Sequence, residues 1–134
     1  MSDTKPVHNL QALLKGMDAR LSDERYLFAT VAKDVADQLA MQPIMRFEED
    51  EGVTLILLKS DAHAAAIEGE FECQKITLHI HSALEAVGFM AAISNKLKDV
   101  SVPCNVVAGY YHDHLFIPVD KVKTAMAALR ELSA

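Results

Sequence analysis

The chain has 134 residues, of which 51% are hydrophobic and 24% charged, with a formal net charge of −6. That composition excludes a disordered chain and fits one ordinary domain or two very small ones sharing a core. Residues 1–70 carry 7 basic against 13 acidic groups and residues 71–134 carry 6 of each, so neither half has the basic stripe of a nucleic-acid binder.

No stretch approaches the roughly 20 apolar residues that span a bilayer. The first 25 residues include Asp3, Lys5, Lys15, Asp18 and Arg20 and lack a signal-peptide apolar block. A cytoplasmic protein with no membrane partner is the expectation. Cys73 and Cys104 do not make a disulfide framework in such a chain; two half-buried thiols inside strands are expected.

In chain order, residues 9–14 suit a short helix capped by Asn9 and stopped by Gly16. Residues 25–32 are β-rich and predict a strand. A short helix over 35–40 ends before Pro43. Strands follow at 44–48 and 53–58, joined by the acidic turn Glu49-Asp50-Glu51-Gly52. Ser60 or Asp61 can cap a small helix through residue 67, closed by Gly69. Residues 72–81 alternate: Ile76, Leu78 and Ile80 face one way, Lys75, Thr77, His79 and His81 the other. This is a strand with one covered face, and its second face, being polar, does not require complete burial. Phe89, Ile93 and Leu97 recur at i, i+4 and i+8, which predicts an amphipathic helix over 88–99. Strands at 104–109 and 115–118 form a hairpin around Tyr110, Tyr111, His112, Asp113 and His114. Asp120 is placed to cap the last helix, whose apolar face is Val122, Met126 and Leu129.

The order strand, helix, strand, strand, helix therefore occurs twice. Aligning Arg25 with Lys75 gives an offset of 50, and aligning Asp61 with Asp120 gives 59. The first copy has thus lost about nine residues from its first helix, a localised deletion within an internal duplication. A βαββα unit followed by another strand is the split-βαβ pattern, so the fold class expected is α+β and ferredoxin-like, with antiparallel sheets. Strands 53–58 and 104–108 are apolar on both sides, which predicts packing between repeats or between subunits.

The phrases His-Ser-Ala-Leu-Glu-Ala-Val-Gly (81–88), Cys-Asn-Val-Val-Ala-Gly-Tyr-Tyr-His-Asp-His-Leu-Phe-Ile-Pro (104–118) and Phe-Glu-Glu-Asp-Glu-Gly-Val-Thr-Leu-Ile-Leu (47–57) resemble those of the stand-alone bacterial tandem ACT proteins. These are similar to the regulatory ACT pair of aspartate kinase. The resemblance covers about residues 13–132. It implies two ACT-like βαββα(β) modules: residues 1–70, with a truncated first helix, and residues 71–134, with strand 72–81 open to sharing. It further implies binding of a small-molecule ligand, an amino acid above all, assembly into a homo-oligomer through the sheets, and no catalysis and no cofactor. The implied ligand loop lies between the first strand and first helix of the second module. There Ser82, Leu84, Glu85, Ala86, Val87, Gly88 and Phe89 are the candidate binding residues, and Asn105, opening the next strand, is another. The family's Pro-Gly appears here as Val87-Gly88, without the proline.

Those residues also have plain readings. Ser82 can be a helix cap, Glu85 a favourable first-turn acid, and Asn105 a local backbone partner. Where a ligand does bind, exposed amides at a helix start suit its carboxylate, Gly88 permits close approach, and Glu85 can pair an α-ammonium. His112, Asp113 and His114, with His79 and His81, suggest metal ligands, but a turn role outweighs that spacing. No Gly-x-Ser-x-Gly, P-loop, Gly-x-Gly-x-x-Gly or His-Glu-x-x-His occurs, and both thiols sit inside strand patterns. The expected function is a ligand-binding regulatory module that is not an enzyme. Its rivals are an oligomerisation protein with a vestigial pocket and a metal-dependent enzyme built on the second-half histidines.

Overall fold

Hydrophobic periodicity decides most of the elements in the computed structural model, which describes residues 9–81 and 86–134. The chain divides into two compact units, one of Glu24–Cys73 and one formed by residues up to Asp23 together with those from Gln74 onward.

The Glu24–Cys73 unit holds β2 (Tyr26–Val31), α2 (Lys33–Asp37), β3 (Met45–Glu49), β4 (Gly52–Leu58), α3 (Lys59–Ala64) and the first four residues of β5 (Glu70–His79). Its strands lie in the order β3-β4-β2-β5. The described pairings are antiparallel: Phe47 opposite Thr54, Phe28 opposite Ile56, Tyr26 opposite Cys73. This is the ferredoxin-like order, with both crossovers made by helices. The alternation of β4 sends Val53, Leu55 and Leu57 into a core with Ala29, Ala36 and Ala62. The small side chains on α2 and α3 let these short helices lie close to the strands. At the edge of this unit Lys59 and Arg25 both pair Glu72, at 2.9 and 3.2 Å.

The other unit begins with α1 (Leu10–Gly16), where the Asn9 side chain accepts from the Ala12 N–H at 3.0 Å, the cap expected of it. Next come β1 (Asp18–Leu21), residues 74–79 of β5, α4 (Phe89–Asp99), β6 (Asn105–Ala108), β7 (Asp113–Pro118) and α5 (Val122–Ser133). β1 runs antiparallel to β5, with Asp18 opposite His79 and Leu21 opposite Ile76, while β7 flanks β5 on the other side and β6 forms the edge. This second α+β module thus takes its fourth strand from the N-terminal side of the chain. The apolar stripes of α4 (Phe89, Ile93, Leu97) and α5 (Val122, Met126, Leu129) close over Ile76, Leu78, Leu115 and Ile117, with Leu13 of α1.

Several local expectations need correction. Residues 119–121 form a 3-10 turn, so α5 starts at Val122 and Asp120 does not cap it. α3 starts at Lys59, which puts Ser60 and Asp61 inside its first turn rather than before it. The helix expected over 35–40 is α2, two residues earlier. On the polar face of β5 Thr77 is 8% exposed while Lys75, His79 and His81 stay half-buried, and Gln74, on the opposite face, is 7% exposed. Thr77 hydrogen-bonds the His114 ring and Gln74 donates to the Ser22 carbonyl, which makes burial tolerable. Among the described residues no helix is long and apolar enough to cross a membrane.

Ile93 is fully buried and Val87 is 86% exposed. Ile93→Ala is expected to cost about 2–5 kcal/mol through lost burial and an unfilled cavity. Val87→Ala is expected to stay within about 0.5 kcal/mol. Urea denaturation of both variants checks the contrast.

Candidate functional site

α4 exists because Phe89, Ile93 and Leu97 lie on one stripe, and all three are buried. The burial fixes the helix rigidly, and with it the backbone that starts it. Gly88 precedes the helix at φ 90, in the left-handed region, and among the described residues no side chain caps α4. A β-carbon added to Gly88 would come no nearer than 3.7 Å to the Leu10 side chain. Backbone conformation rather than crowding therefore calls for glycine. The first intrahelical bond runs from the Ala92 N–H to the Gly88 carbonyl at 3.0 Å, so the preceding amides of the first turn have no intrahelical acceptor. The first turn contains no acidic residue, and the last carries Lys96 and Lys98. The positive end of the helix dipole is left for an outside anion.

The candidate residues fall into distinct places. Val87 is strongly exposed at the loop. Ala86 packs against the core, and the Phe89 ring is part of it, so Phe89 offers a ligand only its backbone N–H. Asn105 is exposed at the start of β6, opposite Phe116. It follows the C-terminal end of α4, whereas Gly88 caps the N-terminal end, some ~16 Å away along an eleven-residue helix. Ser82, Leu84 and Glu85 lie outside the described residues.

An aromatic cluster that sequence reasoning did not assemble stands at the end of β5. His81, at the foot of the loop, has ring centroids 5.2 Å from Tyr111 and 6.3 Å from Tyr110, and the two tyrosines are 5.0 Å apart. Tyr110 and Tyr111 are 69% and 58% exposed. The turn that holds them closes with a Gly109 N–H to His112 carbonyl bond of 2.9 Å. His112 extends the cluster to His79 at 4.7 Å and to His114 at 6.5 Å. The available signal was the shared face of His79 and His81, which points both rings toward whatever strand lies beside β5.

Burial and neighbouring charges disfavour the charged form of two of these imidazoles, His79 and His114. Burial, then the charges of Arg20 and His112, push the His79 ring below the ordinary histidine range. Burial, then Lys75 and His112, do the same to His114, with Asp113 opposing. Among the described residues no group of three or more His, Cys, Asp or Glu is placed to hold a metal ion. Both thiols are free. Burial pushes Cys73 up to about 12 and Cys104 up to about 11, so neither is a thiolate nucleophile at neutral pH. A separate cleft of about 570 Å³, lined by Glu24, Arg25, Leu58, Lys59, Ser60 and His63, lies in the Glu24–Cys73 unit.

Comparison with known proteins now gives the arrangement a context. Residues 5–74 match one ACT-domain family model and residues 69–131 match another. A Vibrio cholerae protein described as of unknown function and a possible transport protein is 41% identical; the match covers 93% of this chain and 96% of that one, with a TM-score of 0.84. An Agrobacterium tumefaciens protein shares 12% identity over 87% of this chain and 89% of its own, TM-score 0.70. The regulatory subunit of aspartate kinase from Thermus flavus shares 11% over 87% and 97%, TM-score 0.67. These last two show likeness of fold alone. No curated protein matches the chain.

A pH dependence follows from His79 and His114. Their folded-state values lie below the unfolded one, so between the two the unfolded chain binds more protons. Their contribution to stability is therefore intact above the ordinary value of about 6.5 and is lost as pH falls toward the lowered values. The melting temperature is expected to drop between about pH 7 and pH 5. The double variant His79→Gln, His114→Gln should flatten that slope. An unchanged slope would remove these two rings as its cause.

Proposed function

Because this chain belongs to the ACT-domain family, with two such modules in tandem, we propose that it is a regulatory module without catalysis of its own, which binds an amino acid or a similar zwitterion ahead of α4. The module boundaries of this proposal are 1–70 and 71–134. The observation that carries it is the uncapped start of α4 behind Gly88. A ligand carboxylate would accept from the first-turn amides, where the helix dipole favours negative charge. The α-ammonium would meet the Glu85 carboxylate. Ser82, Leu84, Ala86 and Val87 would line the approach, and Asn105 would reach the ligand from a facing module or a second copy.

The role of the aspartate kinase subunit of like fold, regulatory by its description, is carried over here as part of the proposal. A ligand that holds two modules together acts on a cytoplasmic homo-oligomer by binding one arrangement better than another.

A melting-temperature screen against the twenty amino acids tests the reading. One of them, at about 100 times its Kd, is expected to add about 2.7 kcal/mol of stability. Gly88→Val should abolish the response, because valine does not hold φ 90. Glu85→Gln should weaken it through loss of the charge that pairs the ammonium. Twenty flat melting curves would end the amino-acid reading.

A further inference from the structure

The cleft of about 570 Å³ in the Glu24–Cys73 unit is built around two cations, Arg25 and Lys59. It lies where β2 begins and β4 ends, since Tyr26 stands opposite Leu58. Helix α3 follows β4 with no intervening loop, and the Lys59 N–H donates to the Arg25 carbonyl at 2.9 Å. That backbone bond holds the two residues side by side. Their side chains then share a single carboxylate: Lys59 Nζ lies 2.9 Å from one oxygen of Glu72 and Arg25 Nη1 lies 3.2 Å from the other. Glu72 thus shows what the pair grips, yet it does not use the pair up. An ammonium has three N–H donors and a guanidinium five, so most of them are left over among the described residues. Ser60 and His63, three residues apart on one face of α3, line the same cleft. Among the described residues neither of their side chains has a hydrogen-bond partner. Leu58 supplies an apolar surface.

We propose that this cleft binds a small organic carboxylate with an apolar body and no α-ammonium. The planar Arg25 fork matches a carboxylate, and the Lys59 ammonium and Ser60 hydroxyl complete its hydrogen bonds. The apolar body rests on Leu58 and the His63 ring. A cleft of this volume suits a small molecule. Charge narrows the class. Arg25 and Lys59 balance Glu24 and Glu72, so the surroundings sum to zero and favour a singly charged guest over a phosphate dianion. In a zwitterion the ammonium, one carbon from the carboxylate, would be carried toward the two cations, and that repulsion disfavours it. The guest therefore differs from the zwitterion proposed ahead of α4, and the site lies in the other unit. Neither inference depends on the other.

Amide chemical shifts of the labelled full chain, titrated with hydrocinnamate, test it. The amides of Arg25 and of residues 58–63 are expected to shift saturably, with one dissociation constant. Phenylalanine, which is hydrocinnamate with an α-ammonium, should bind there about tenfold more weakly or worse, and so should acetate, which lacks the body. Arg25→Gln should weaken hydrocinnamate binding by about tenfold, the cost of a charge-assisted hydrogen bond. Glu72→Gln should strengthen it severalfold, because the competing carboxylate is gone and both cations turn to the guest. The two variants break the same ion pair, so a merely structural role would move both affinities the same way. A wild type without saturable shifts at residues 58–63 overturns the proposal. So do phenylalanine or acetate binding there as tightly as hydrocinnamate, an unchanged affinity in Arg25→Gln, or a lowered one in Glu72→Gln.

Discussion

The burial of one stripe of α4 is the constraint on which the rest depends. Phe89, Ile93 and Leu97 are held in a core with Leu78, Leu115 and Leu129, so the helix cannot slide or rotate without exposing all three. Its first turn is fixed for the same reason. A left-handed glycine stands before that turn, and among the described residues no side chain caps its amides. Orphan helix-end donors fixed by a rigid core are pre-organised for a negative group, and pre-organisation spares a ligand the entropic cost of ordering them.

The surroundings of that turn differ from the charged edges of the chain. Around Glu72 and around Arg46, carboxylates and cations neutralise one another at the surface, and such exposed pairs contribute little to stability. Beside β5 the residues are imidazoles and phenols, and burial disfavours charge on two of them, His79 and His114. One module therefore presents an aromatic cluster and the other carries ion pairs on its strands.

Much of the fold was legible because its periods are strong. The 3.6-residue stripe of α4 and the apolar run of β4 specify those elements to within a residue, the alternation of β5 places its strand two residues late at each end, and Asn9 marks the start of α1. β1 was not legible. Asp18, Ala19, Arg20 and Leu21 have no strand-like alternation, and only the ladder to Ile76–His79 partners holds them extended. The cap at Asp120 failed because the residues after Pro118 first tighten into a 3-10 turn. In the site, Gly88 was readable as a helix start, since little besides glycine fits there. The tyrosines were not, because a hairpin turn shows its composition but not which strand end it stands beside.

Amide chemical shifts of the labelled full chain, followed during titration with an amino acid that raises the melting temperature, test the central claim most directly. The account requires the Gly88, Phe89 and Met90 amides to shift first and saturably, with one dissociation constant. Saturable shifts confined to other amides, such as those of residues 24–73, with Gly88 to Met90 unmoved, would contradict it.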